Sequence, residues 1–311
     1  MVKPHSQGDA TTFLIDSSMY TYHSFFSLDS TKVASVKPCN SWIISLDASP
    51  GGWRIYINSS SYYGVYVTGT TDFGNISPVT DPEKYIFDAS SGHPDSTSFN
   101  SWLDRSVSPF QPTGKIFLIG KYTGINYNPE WMVKFISYND TSYTFQFAPM
   151  GGIPVVKTIK KDPLFNRIYY HFSEGGKLVK VEPQKNSWDL LFTQYGTILY
   201  TDEGVPTPYF VRGVLINPSG VAVNKDTIKN FTEIDFLYAS QLQLITATDI
   251  IGYDWKDVKV DFNSGTAVYI TRSNVSYIIR DVKGYLYKIR FIDFYNQFGK
   301  EGYPSFEMQK L

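Results

Sequence analysis

One long-period repeat constrains this chain more than any other feature. Phe26-Ser27 and Asn40-Ser41-Trp42 recur as Phe172-Ser173 and Asn186-Ser187-Trp188, both at an offset of 146 residues. Further on, Asp95 and Trp102 sit over Asp249 and Trp255, tryptophan on tryptophan at offset 153. The run Trp131 to Tyr138 matches Tyr287 to Phe294 at offset 156, and Phe145-Gln146-Phe147 resembles Phe306-Glu307-Met308 at offset 161. The anchors keep their order while the offset grows. Loop insertions in the second copy produce that pattern, because a longer loop adds little closure entropy. Met150-Gly151-Gly152-Ile153-Pro154 punctuates the chain between the copies. The expected domains are therefore residues 10–152 and 153–311.

Each copy reads as strands. Tyr285, Tyr287, Ile289 and Phe291 alternate with Lys288 and Arg290, a period of two that predicts a strand with one wet face. Asp281-Val282-Lys283-Gly284 reads as the hairpin turn joining it to Tyr277–Arg280, with Gly284 at positive φ. Glu174-Gly175-Gly176 makes a second turn, and Trp188 to Tyr195 reads as a strand buried on both faces. Helix signals are few: Asp81-Pro82-Glu83 opens a short turn, and Phe231 to Leu244 fits helix or strand. Aromatic residues make up 17% of the chain, with 24 Tyr and 22 Phe, which suits half-buried pleated surfaces. The expected fold is all-β: two tandem antiparallel sandwich-like domains with few short helices.

Charge and cysteine content narrow the function classes. With 28 basic and 29 acidic side chains the net charge is -1, which lacks the basic footprint of a nucleic-acid binder. The single cysteine, Cys39, rules out an intrachain disulfide. No run of 18 apolar residues appears. The polar segment Met1–Thr12 lacks a signal-peptide core, so the expectation is either a cytosolic protein or one whose leader has been removed.

Catalytic motifs are missing: there is no Gly-x-Ser-x-Gly elbow, zinc-protease helix, phosphate loop or dinucleotide fingerprint. The chain is thus expected not to be an enzyme. Of the four histidines, His5 lies in the polar tail, and His23 and His171 precede the repeated Phe-Ser as strand residues. His93, in a loop ahead of the middle anchor, is the histidine with a candidate ligand role. Asp202-Glu203 and the Asp254/Asp257 pair lack calcium-loop spacing, and no metal site is expected. Tyr62, Tyr63, Tyr66, Tyr195, Tyr200 and Tyr209 offer aromatic faces of the kind that stack on sugars. A cell-surface module for glycan or protein is therefore the alternative reading.

The second copy resembles the HmuY-like haem-binding proteins. The resemblance rests on Tyr170-His171-Phe172-Ser173-Glu174-Gly175, on Asn186 to Phe192 with its Trp-Asp core, on the closing run Tyr277 to Phe291 and on Gly302 to Glu307. It spans about residues 160 to 311. The first copy keeps Ser41-Trp42 but has Ile43 where Asp189 stands. The resemblance implies an exported, outer-membrane-surface binding protein that captures haem or a related ligand for an outer-membrane uptake receptor. In that family the axial ligands are His or Met near the domain's middle tryptophan. Between Leu244 and Arg280 this chain has neither, and Phe262-Asn263-Ser264 follows the tryptophan. Tyr253 and Tyr269 are the phenols there, and with His93 they form the candidate ligand set.

Overall fold

The computed structural model describes residues 8–261 and 266–311. His5, with the start of the polar segment Met1–Thr12, and the Phe262-Asn263-Ser264 stretch lie outside the described residues. In the first copy the strands are β1 (Thr11–Leu14), β2 (Tyr22–Ser27), β3 (Lys32–Pro38), β4 (Ile44–Asp47), β5 (Ile55–Ile57), β6 (Tyr63–Val67), β7 (Leu103–Asp104), β8 (Gln111–Pro112), β9 (Ile116–Tyr122), β10 (Tyr127–Tyr138) and β11 (Ser142–Pro149). In the second they are β12 (Val155–Lys160), β13 (Arg167–His171), β14 (Lys177–Val179), β15 (Leu190–Tyr200), β16 (Pro206–Ile216), β17 (Ala222–Asp226), β18 (Lys256–Asp261), β19 (Thr266–Thr271), β20 (Ser276–Arg280), β21 (Leu286–Tyr295) and β22 (Glu301–Lys310). One α-helix, α1 (Phe236–Gln241), and several single 3₁₀ turns complete the described elements. The all-β expectation holds.

The two sets of strands correspond one to one, but the front three strands of each copy pack on the other copy's body. One five-stranded sheet runs β1-β22-β21-β20-β17, and its counterpart runs β12-β11-β10-β9-β6. Two four-stranded sheets run β3-β2-β15-β16 and β14-β13-β4-β5. The pairings compared below are antiparallel, and their registers agree. Phe135 faces Phe145 and Phe291 faces Phe306, each with a β-bulge just after the first-named phenylalanine. Phe13 faces Phe306 across β1–β22, as Lys157 faces Phe145 across β12–β11. Phe26 faces Leu190 across β2–β15, as Tyr170 faces Ile44 across β13–β4.

Two sequence expectations change as a result. The compact units are not residues 10–152 and 153–311. Unit 1 comprises 1–39, 183–194 and 211–311, and unit 2 comprises 40–182 and 195–210. The front segments also correspond at an offset of 144, which places Phe26 on Tyr170 rather than on Phe172. The shift is two residues, so the same strand face stays inward and the pattern of apolar residues does not betray it.

The anchor tryptophans hold equivalent places in their own units. Trp42 and Trp188 are both buried. Trp42 meets Tyr169 edge-on at 5.0 Å, and Trp188 meets Phe25 edge-on at 4.9 Å. The middle pair is equivalent too. Trp102 packs on Phe135 and Tyr138, and Trp255 packs on Phe291 and Phe294. These aromatic sets form the heart of the two main cores.

One expected wet face is covered at Lys288, although the Arg290 side chain on it stays 39% exposed. Lys288 is buried, and its Nζ donates to the carbonyl oxygens of Phe231 (2.6 Å) and Ile234 (2.8 Å). The 3₁₀ turn Phe231–Glu233 and helix α1 cover that side of β21, so the lysine satisfies carbonyls the covering segment leaves open. The Gly284 and Glu174-Gly175-Gly176 turns form as expected, with φ of 92° at Gly284 and 75° and 91° at Gly175 and Gly176. Asp81 caps its 3₁₀ turn by accepting from the Glu83 N–H at 3.1 Å.

Candidate functional site

The hairpin after the middle tryptophan differs between the units. In unit 2 it consists of two-residue strands, Leu103 opposite Pro112 and Asp104 opposite Gln111. In unit 1 the corresponding ribbon β18–β19 has six-residue strands, with Lys256 opposite Thr271 and Val258 opposite Tyr269. Alternation puts Val258 and Val260 on one face of the ribbon and Val268 and Ile270 on the other. All four are exposed, at 53%, 49%, 49% and 41%. A two-stranded ribbon lacks neighbours to cover both faces, and these aliphatic side chains stand open to solvent.

The base of the ribbon is tightly built. Lys256 is buried and donates from Nζ to the carbonyls of Arg212 (2.6 Å) and Tyr253 (3.2 Å). Its amine lies 4.4 Å from the Trp255 ring centre, 4.6 Å from that of Phe294 and 5.8 Å from that of Tyr269. Burial, helped by the nearby Arg212 guanidinium, pushes the amine down to about 7. The Tyr269 ring meets Phe294 edge-on at 4.8 Å, and its backbone N–H donates to the Tyr295 hydroxyl at 2.8 Å.

The three predicted ligand residues fall in different places. Tyr253 and Tyr269 both flank Lys256 in unit 1 and are half-buried. Burial, then the Asp254 carboxylate, raises the Tyr253 phenol above its ordinary value. That opposes the phenolate an iron ion would need. His93 belongs to unit 2, on an exposed turn where its Nδ1 accepts from the Asp95 N–H at 3.3 Å. Asp95 pairs with Arg105, which lines a cleft of about 520 Å³ with Val67, Ile86, Asn100, Leu103 and Asp104.

The remaining candidates are structural. Cys39 is buried beside His23 and Thr193, at 4.0 Å and 3.9 Å. Burial pushes its thiol up to about 12 and the His23 imidazole down to about 4. Tyr63 is buried, with its hydroxyl donating to Glu130 at 3.0 Å, and Tyr62 packs edge-on to Phe210. The sugar-platform expectation therefore lacks an open Tyr63 face. Among the described residues, no group of three or more His, Cys, Asp or Glu is placed to hold a metal ion. Sequence reading missed the ribbon and Lys256. The alternation Lys256, Val258, Val260 was a usable strand signal there.

Comparisons with known proteins agree with this picture in family. Residues 165–308, just under half of the chain, match the HmuY protein family. No curated protein matches the chain. Among solved structures, it is similar to a protein from Bacteroides vulgatus described as HmuY-like and haem-binding. Identity is 11%, the alignment covers 97% of this chain and 94% of that one, and the TM-score is 0.24. An apo HmuY analogue from Tannerella forsythia gives 10% identity, 99% and 97% coverage, and a TM-score of 0.26. A lipoprotein from Bacteroides fragilis gives 20% identity over 50% of this chain and 76% of that one, with a TM-score of 0.19. Scores this low carry no argument from those structures to this one. The family match itself crosses the compact units, because its first residues, 165–182, belong to unit 2 and most of the rest to unit 1. The likeness to the HmuY family is thus carried by residues 165–308, within the second copy.

Proposed function

We propose that this protein is a surface binding protein that captures a planar, largely apolar ligand of the haem class along the β18–β19 ribbon of unit 1. One observation carries the reading: four aliphatic side chains stand open on the two faces of a ribbon that unit 2 keeps short. The ribbon also lies wholly inside the family match. Burying such side chains against a flat macrocycle contributes roughly 25 cal/mol per Å² of apolar surface removed from water. Tyr269, at the ribbon's base, is the donor best placed to reach the ligand's metal. Tyr253 is less suited because its phenol holds its proton. His93 serves no ligand at this ribbon. An outer-membrane uptake receptor is the partner to which the ligand passes, and the family match supports a place at the bacterial surface. No helix among the described residues is long and apolar enough to cross a membrane.

Haemin titration followed in the Soret region tests this. Wild type is expected to sharpen and shift the free-haemin band. Val258→Asp combined with Val268→Asp is expected to abolish the change, Tyr269→Phe to alter its position, and His93→Ala to leave it as in wild type. A free-haemin spectrum at every protein concentration would overturn the reading.

A further inference from the structure

A second cavity in unit 1, of about 370 Å³, is made where the front segment of the first copy meets the last hairpin of the second. Tyr20 and Tyr22 come from the front segment, and Lys300, Glu301 and Tyr303 come from the β21–β22 hairpin, with Ser18 completing the wall. Neither copy contains this set in one stretch of sequence. It exists through the strand exchange.

Tyr20 is a fixed wall. Met19 donates its N–H to the Gly302 carbonyl at 3.0 Å, and Gly302 has φ of +92°. A Cβ at Gly302 would come within 2.6 Å of the Tyr20 ring, so the glycine lets the ring lie against the strand. The Arg212 guanidinium covers the ring at 3.9 Å. The Tyr20 hydroxyl donates to Glu301 Oε1 at 2.6 Å, which leaves Glu301 Oε2 free to accept from a ligand. Tyr22 is 39% exposed and Tyr303 half-buried.

The shared fold does not demand these residues. At offset 144 the places of Tyr20 and Tyr22 are taken in unit 2 by Leu164 and Asn166. The hairpin is also longer here, with sixteen residues from Phe291 through Phe306 against eleven from Phe135 through Phe145. Lys300 and Glu301 lie in that longer connection. Aromatic rings beside a carboxylate, an amine and a hydroxyl suit a ring-shaped ligand with an apolar C–H face and hydroxyls around its rim.

We propose that this cavity binds a neutral pyranose, free or as part of a glycan. The sugar's C–H face lies on Tyr22 and Tyr303, and its hydroxyls donate to Glu301 Oε2 and accept from Ser18 and Lys300. This site adjoins the base of the β18–β19 ribbon, where the Tyr269 side chain interacts with the Tyr20 hydroxyl, but its lining residues are distinct from the ribbon's exposed aliphatic side chains.

Saturation-transfer NMR with the methyl β-glycosides of glucose, galactose and N-acetylglucosamine, each at millimolar concentration, tests the proposal. Transfer to ring protons of at least one sugar is expected. Tyr22→Ala and Tyr303→Ala should each weaken it by about tenfold, the size of one lost aromatic contact. Glu301→Gln should weaken it too, while the Tyr20 hydroxyl keeps an acceptor. Because Tyr22 lies partly in solvent, Tyr22→Ala is expected to unfold like wild type. No transfer from any of the three sugars, or undiminished transfer in the Tyr22→Ala/Tyr303→Ala pair, overturns the proposal. Haemin behaviour of these variants should match wild type, so failure here is distinguishable from failure at the ribbon.

Discussion

Replacing Phe26 with alanine separates the exchanged arrangement from one in which each copy folds on itself. Phe26 is 2% exposed. Its ring meets Phe13 at 5.6 Å, Phe306 at 5.3 Å and Phe192 at 6.5 Å, all edge-on. All three partners lie in unit 1, and two of them come from the second copy. A buried Phe→Ala change costs about 3–5 kcal/mol, from lost transfer energy and the cavity left behind. At 1.36 kcal/mol per factor of ten, opening of the affected core should rise by about a hundredfold to a few thousandfold. Hydrogen exchange read by mass spectrometry locates that opening. The expected loss of protection falls on β20, β21 and β22, although the substitution is near the N-terminus. Tyr170→Ala is the mirror case: Tyr170 packs on Phe145 (5.2 Å) and Phe147 (5.9 Å), so β11 and its neighbour β10 should lose protection. If Phe26→Ala instead loosens β9–β11 and spares β20–β22, the exchange is refuted.

Two further consequences concern buried carboxylates. Asp189 accepts from the Leu28 N–H at 2.8 Å and the Val282 N–H at 2.9 Å, tying the front segment to the second copy's closing hairpin. Asp189→Asn keeps one acceptor oxygen and sets an amide N–H₂ against the other donor. It should cost about 1–3 kcal/mol, read as a lower denaturant midpoint at unchanged slope. Glu182 is buried and accepts from the Arg167 N–H at 2.7 Å, and burial pushes its carboxyl from 4.5 up to about 7. Folded protein therefore holds this proton where unfolded chain has lost it. The stabilisation is full below about pH 4.5 and declines as pH rises through about 7. Glu182→Gln should flatten that part of the stability-versus-pH curve relative to wild type. An unchanged slope would assign the dependence to other groups.

Much of the fold was legible because local chemistry fixed it. Gly284 and the Glu174-Gly175-Gly176 turn supplied positive φ where hairpins need it, and alternation marked the closing strands. The repeat was visible because Trp102 and Trp255 must fill the same core site against Phe135 and Phe291. The exchange was not legible. Either body offers β1 and β2 the same kind of partner strand, and either choice buries the same side chains. Lys288, expected on the wet face of β21, was misjudged because a lysine normally signals solvent, while here it satisfies the carbonyls of Phe231 and Ile234. For the site, alternation on β18 was readable. What made it notable is exposure on both faces and a short counterpart in unit 2, and both are properties of packing rather than of residue type. The Tyr20–Tyr303 cavity joins residues almost a full chain apart, beyond the reach of any local pattern.

Cysteine pairing tests the exchange most directly. Leu14 faces Ser305 across β1 and β22, and opposed residues in antiparallel strands lie within disulfide reach. Thr144 is the position on β11 that corresponds to Ser305. In a Cys39→Ser background, Leu14→Cys with Ser305→Cys is expected to oxidise to an intrachain bond in monomeric protein, while Leu14→Cys with Thr144→Cys stays reduced. A bond formed in the second pair and not in the first would show that each copy closes on its own front strands, contradicting the account.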